Sequence, residues 1–252
     1  MSSLAFNLLT CDQYAVVLGM VNLPSLLALR ACSHHTLAVV AAVLQVTLQA
    51  LCGWFLRYPD IFLTVLVESE AFVGGQVAVR FMLRDLPFRP QHLDVYVPVA
   101  AYRAVRRHLV RIQQATMVSG PDSQWNHDNE RWLVDHGLND TSVLQTKEGT
   151  IKLHRALTSQ ALAGIACAGT SAEVSYVNPT YFGTGYPSLL FRHHALFADW
   201  KEDDEDILSI LRWRVRGLDI RMAARAWEEC RGLVCAATKW YGSKHSPSVR
   251  RR

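Results

Sequence analysis

The stretch that decides the fold runs from Phe72 to Pro98, FVGGQVAVRFMLRDLPFRPQHLDVYVP. Gly74 and Gly75 stand before an apolar segment, and a loop holding Pro87 and Pro90 leads into His92-Leu93-Asp94-Val95-Tyr96-Val97. Successive strand residues point to opposite faces, so His92 and Asp94 share one side. A glycine pair brings backbone N–H groups close to a ligand, because it adds no side chain and accepts unusual dihedrals. Gly74, Gly75 and Gln76 are therefore the candidate nucleotide-binding turn. Asp94 is the candidate metal ligand, and Asp94 and His92 are the candidate catalytic side chains. The plain alternative is an ordinary strand-to-helix turn with an aspartate ending a strand.

A later segment, Thr150-Ile151-Lys152-Leu153-His154-Arg155, alternates polar and apolar as a half-buried strand does. Its polar positions are Thr150, Lys152 and His154, and none is acidic.

The Gly-turn and His-x-Asp block resembles a group of fungal (basidiomycete-type) nucleotidyltransferase-like proteins. In that group an F-box-like helical segment precedes a domain with a Ser-Gly-Ser turn and an Asp-Leu-Asp strand. The segment WRVRGLDI, Trp213 to Ile220, resembles the group's Tyr-x-x-Arg-Gly-Phe-Asp segment, and Cys230 and Cys235 fall where it tends to carry cysteines. LLALRACS, Leu26 to Ser33, is similar to the second half of an F-box, although the opening Leu-Pro-x-Glu is absent before residue 20.

The resemblance implies an α+β fold: an N-terminal helical segment, then a nucleotidyltransferase-like mixed sheet flanked by helices. It divides the chain into residues 1–57, residues 58–245 and a basic tail, 246–252. Active members of such a fold hold two divalent metals about 4 Å apart on paired carboxylates, with a third acid from a later strand of the sheet. Here His92 replaces one acid and the later strand supplies none. Mg²⁺ prefers oxygen ligands, whereas imidazole suits softer metals. The leading expectation is a catalytically inactive binding or adaptor protein. The alternative is an active metal-dependent nucleotidyltransferase using Mg²⁺, a nucleoside triphosphate and Asp94, with Asp85 or Asp219 completing the site. The Arg-Gly-Leu-Asp block accounts better for Asp219 as structural.

The N-terminal region offers a third reading. From Arg30 to Arg57 the chain carries no Lys, Arg, Asp or Glu in between. Residues 36–56 are long enough to cross a hydrocarbon layer of about 30 Å, which would make this a membrane-anchored protein. Against a span, Gln45 and Gln49 lie one turn apart on one helix face. As helices, residues 3–18, 24–33 and 35–56 form a compact unit. It would either cap the chain's own sheet or, as the F-box resemblance implies, dock on a Skp-type adaptor.

At 252 residues and 50% hydrophobic, the chain has material for a substantial core. A formal charge of +4 carries no strong nucleic-acid signal. Six scattered cysteines and no basic-apolar leader fit reduced thiols in the cytoplasm or nucleus. Cys230, Cys235 and His245 lack the second pair that a zinc site needs. Elsewhere the spacing predicts a helix over 59–69 and an amphipathic helix over 99–116. The second helix presents Arg103, Arg106, Arg107 and Arg111, as a phosphate grip or a solvated face. Residues 119–129 read as a loop, and 164–199 as one strand, a loop and a helix. Tyr176, Tyr181, Phe182 and Tyr186 are candidates for an aromatic wall or for core packing, and Lys201–Asp206 reads as an acidic helix start.

Overall fold

The computed structural model describes residues 16–197, 204–222 and 227. The expected helix over 3–18 falls largely outside them, as do Cys230, Cys235, His245 and the basic tail. The fold is α+β: a seven-stranded mixed sheet flanked by helices, with a helical segment ahead of it.

The helical segment begins with α1 (Leu23–Arg30), where the Asn22 side chain accepts from the Ser25 N–H at 3.0 Å and Pro24 occupies the first turn. Ser33 caps the next helix, α2 (His34–Cys52), instead of ending the first. Its hydroxyl accepts from the Thr36 N–H at 3.1 Å, and the Thr36 hydroxyl accepts from the Ser33 N–H at 3.0 Å. This reciprocal pair satisfies donors that a helix start leaves open. Val40, Val43, Leu44, Leu48 and Leu51 form its buried stripe, while Gln45 and Val46 face outward. Among the described residues α2 is the one helix long and apolar enough to cross a membrane, with 28% of it buried in the fold. α3 (Pro59–Glu68) follows, burying Phe62, Leu63 and Leu66.

Chain and sheet then interleave. β1 (Phe72–Gly74) runs straight into α4 (Gly75–Met82), and β2 (His92–Val97) returns antiparallel to β1. After β2 come α5 (Tyr102–Arg111), β3 (Thr116–Ser119), α6 (Gln124–Asp128), α7 (Glu130–Asp135), β4 (Leu138–Gln145) and β5 (Thr150–Ala156). β5 lies parallel to β2 and is its other neighbour. α8 (Leu162–Ala166), β6 (Ser175–Val177), β7 (Phe182–Thr184), α9 (Pro187–Leu190) and β8 (His194–Leu196) come next. α10 (Asp204–Val215) starts inside the acidic run, and β9 (Asp219–Arg221) pairs parallel with β8 in a small second sheet. The main sheet reads β3-β4-β5-β2-β1-β6-β7. One hydrophobic cluster joins the α1–α3 stripes to Val73, Leu93, Val95, Ile151 and Leu153 of the sheet.

Three sequence expectations are corrected. The helix expected over 99–116 ends at Arg111, because Gln113 turns inward. Gln113 is 1% exposed and clamps the backbone ahead of α3, donating to the Tyr58 carbonyl at 2.9 Å and accepting from the Tyr58 N–H at 2.9 Å. Residues 119–129 are not all loop, since Gln124–Asp128 forms a turn of helix in which the Asn126 amide bonds to the carbonyls of Gly120, Pro121 and Thr141. The stretch 164–199 supplies three short strands instead of one, each held by pairing with a neighbour more than by its own pattern.

The Gln113 clamp is testable. Gln113→Ala removes both bonds to the Tyr58 backbone and leaves a void at a buried position, and is expected to cost about 1–3 kcal/mol. Urea denaturation checks it, with the exposed neighbour Gln114→Ala expected to cost about a third as much or less.

Candidate functional site

β2 is the centre of the site because its neighbours on each side deliver what touches Asp94. Gly74 pairs with Asp94 across the antiparallel β1–β2 ladder. On the other side the parallel register sets Tyr96 beside His154 and Asp94 beside Lys152. The period of two then brings Asp94, His92 and His154 onto one face.

Both oxygens of the Asp94 carboxylate are occupied. His154 Nε2 lies 3.0 Å from Oδ1, and His92 Nε2 lies 3.2 Å from Oδ2. On its other side the His154 ring meets the Thr141 hydroxyl, whose oxygen lies 3.0 Å from Nδ1. Tyr96 stacks on the same ring with centroids 4.5 Å apart. The result is a chain from Thr141 through His154 to Asp94 and out to His92, in which every imidazole position is fixed by a partner.

Burial is the largest influence on Asp94 and would raise its pKa. The hydrogen bonds from His154 and His92, with their charge, outweigh it and hold the carboxyl well below the usual carboxylate range. Burial also raises the Tyr96 phenol well above its ordinary value, and the nearby Asp94 charge adds to the rise. Glu173, just before β6, feels the same surroundings. Burial pushes its carboxyl up, the Thr170 hydroxyl donating at 2.9 Å opposes this, and the Asp94 charge adds to the rise. Sequence reading missed Glu173, which sits in a turn-rich run with no periodicity to mark it, and missed that His154 reaches Asp94.

Gly74, Gly75 and Gln76 are buried in the turn that the sequence marks for phosphate. Gly75 has φ +54°, in the left-handed region, and a Cβ there would run into the Asp94 carboxylate. A Cβ on Gly74 would come within 2.6 Å of the Tyr96 ring. Both glycines thus make room for β2 side chains. The Gln76 side chain is 7% exposed and accepts from the Gln91 N–H at 3.0 Å, tying α4 to the start of β2.

The two aspartates considered as completing acids are engaged elsewhere. Asp85 lies 3.1 Å from His193 Nε2, and Asp219 bonds Arg221 at 2.8 Å and the Trp227 indole N–H at 2.7 Å. Among the described residues no group of three or more His, Cys, Asp and Glu side chains is disposed to hold a metal ion. The donor set around Asp94 does not fit a magnesium pair, since two imidazoles occupy its oxygens. The aromatic wall resolves into packing: Tyr176 meets Phe72 edge-on, Phe182 meets Phe81 edge-on, Tyr186 is buried and Tyr181 stands in solvent.

Two outcomes follow from this geometry. Gly75→Ala forces a side chain into a left-handed position against Asp94, for an expected loss of about 1–3 kcal/mol. Gly120→Ala, where nothing lies within 4 Å, serves as the control in the same denaturation series. For pH the sign is set by a folded pKa below the unfolded value of 3.8. Asp94 therefore contributes stability that is full above the carboxylate range and is lost as pH falls toward the folded value. The denaturation free-energy gap between wild type and Asp94→Asn should shrink as pH falls below about 4.

Comparison with known proteins gives no match to a family model, a curated protein or a solved structure.

Proposed function

We propose that the chain is a binding or adaptor protein built on a nucleotidyltransferase-like domain that does not catalyse nucleotidyl transfer. The observation that carries this reading is the pairing of both Asp94 oxygens with histidine. A two-metal site needs several carboxylate oxygens turned toward the cations, to offset the cost of stripping their water. Here the central carboxylate is spent on His92 and His154, so that β5 brings an imidazole to it and not an acid. The strand-turn-helix-strand order around Gly75, with β5 parallel to β2, supports descent of the domain from such an enzyme layout.

The α1–α2 segment supplies the adaptor part of the proposal. Val16, Val17 and Met20 ahead of α1, and Leu37 and Val46 on α2, are exposed apolar residues outside the buried stripe. A Skp-type adaptor, met in the cytoplasm or nucleus, is the partner to which the F-box resemblance points. A pull-down of the full chain with that adaptor is expected to retain it, and loss of retention in Val46→Asp would place the contact on α2.

The catalytic side is tested by calorimetry of a nucleoside triphosphate with and without Mg²⁺, on wild type and Asp94→Ala, beside an incorporation assay. The expected outcome is no Mg²⁺-dependent gain in affinity and no product. Binding that strengthens with Mg²⁺, vanishes in Asp94→Ala and accompanies incorporation would overturn the proposal in favour of the active enzyme.

A further inference from the structure

The other face of the same sheet carries the opposite situation. Alternation along β5 sends Arg155 away from His154, toward the side on which α5 packs through Tyr102, Val105 and Leu109. From Val95 to Pro121 the sequence contains no Asp or Glu, yet it includes Arg103, Arg106, Arg107 and Arg111. Among the described residues none of these four arginines has a carboxylate within ion-pair distance. Helix spacing sets them near one another, so their like charges repel with no carboxylate among the described residues to offset them.

Arg155 adds a fifth guanidinium, and its own pairing is incomplete. Nη1 reaches Asp140 Oδ2 only at 3.4 Å, while the buried Arg155 Nε and Asp140 Oδ1 have no hydrogen-bond partner. The Tyr102 ring lies beneath both Arg155 and Arg106, at 5.6 and 6.0 Å from its centroid, and its hydroxyl is anchored to Ser142 at 2.7 Å. These contacts aim the two guanidiniums across one hollow. That hollow has a volume of about 440 Å³ and is lined by Arg103, Arg106 and Arg155, with Val99 and Pro121 at its walls. A second hollow of about 250 Å³ adjoins it, sharing Arg103 and Arg106 and adding Arg107 and Arg111.

We propose that this arginine-lined hollow between α5 and the end of β5 binds a compact small molecule carrying two or more phosphate groups. Guanidinium is the side chain best matched to phosphate, through parallel N–H bonds to two oxygens. The main hollow falls in the range of about 300–1,000 Å³ typical of small-ligand sites. Single-stranded nucleic acid fits less well, because it takes much of its affinity from stacking on accessible aromatic rings. Tyr102, the aromatic residue of the hollow, is 3% exposed. The site is separate from Asp94 and does not depend on whether the glycine turn is silent.

The test is calorimetric titration of the full chain with inorganic tripolyphosphate, without divalent cation, at physiological ionic strength. One-site binding is expected, weakened at least about tenfold in Arg106→Ala and abolished in the double variant Arg103→Glu, Arg106→Glu. Both positions reach solvent, so the melting temperature should hold. Arg131→Glu, exposed on α7, should bind as wild type. Absence of binding, equal affinity in the arginine variants and wild type, or tighter arginine-dependent binding of a short single-stranded oligonucleotide would each overturn the proposal.

Discussion

A carboxylate held at 6% exposure between two imidazoles is the constraint around which the sheet is arranged. Moving an ionised carboxylate out of water costs several kcal/mol unless it is hydrogen-bonded and offset in charge. The offset here comes from His92 on the same strand and His154 on the neighbouring strand. Each geometric feature nearby serves that pairing. Gly75 turns through a left-handed conformation that leaves space for the carboxylate, and Thr141 reaches across from β4 to fix the His154 ring. A slip of one residue in the β2–β5 register would send His154 to the opposite face and strand the buried charge. The pairing therefore specifies register in a part of the sheet whose apolar residues, Leu93, Val95, Ile151 and Leu153, would tolerate other alignments.

Using the charge in this way determines what the site can do. A carboxylate that binds cations must present free oxygens to a cleft. Asp94 presents its oxygens to its own strand neighbours, and the glycines that would expose backbone to a phosphate are covered by Asp94 and Tyr96. In chemical terms the arrangement is a closed hydrogen-bond chain, from the Thr141 hydroxyl to the half-exposed His92.

The parts of this arrangement that repeat along the chain were legible in the sequence. The alternation of residues 150–155 identified β5, the glycine pair located the β1–α4 turn, and the apolar run expected as a helix over 35–56 identified α2, which ends earlier, at Cys52. The same run left the membrane and core readings of α2 open, since both ask for an apolar helix of that length. What the sequence hid depends on single long-range contacts. Nothing local marks Gln113 as the residue that ends α5, because its partner, Tyr58, lies 55 positions away. The strands β6, β7 and β8 are three residues each, too short to show a period. His154 was visible as a position lacking an acid, but its role emerges only once the parallel register places it at Asp94.

The two faces of the central strands thus distribute charge unequally. On one face a negative group is matched by two imidazoles. On the other face Asp140 meets Arg155 through one long contact, and among the described residues no carboxylate pairs with the arginines of α5. A modest net charge of +4 can therefore coexist with a strongly positive local field, because the acids that balance the total lie elsewhere in the chain. Arginines separated by one helical turn across a hollow act on a bound anion together, and low-dielectric walls such as Val99 and Pro121 concentrate their field there. The face that holds Asp94 is electrostatically satisfied by its own side chains, and the attraction left for an outside partner of negative charge lies on the opposite side of the sheet.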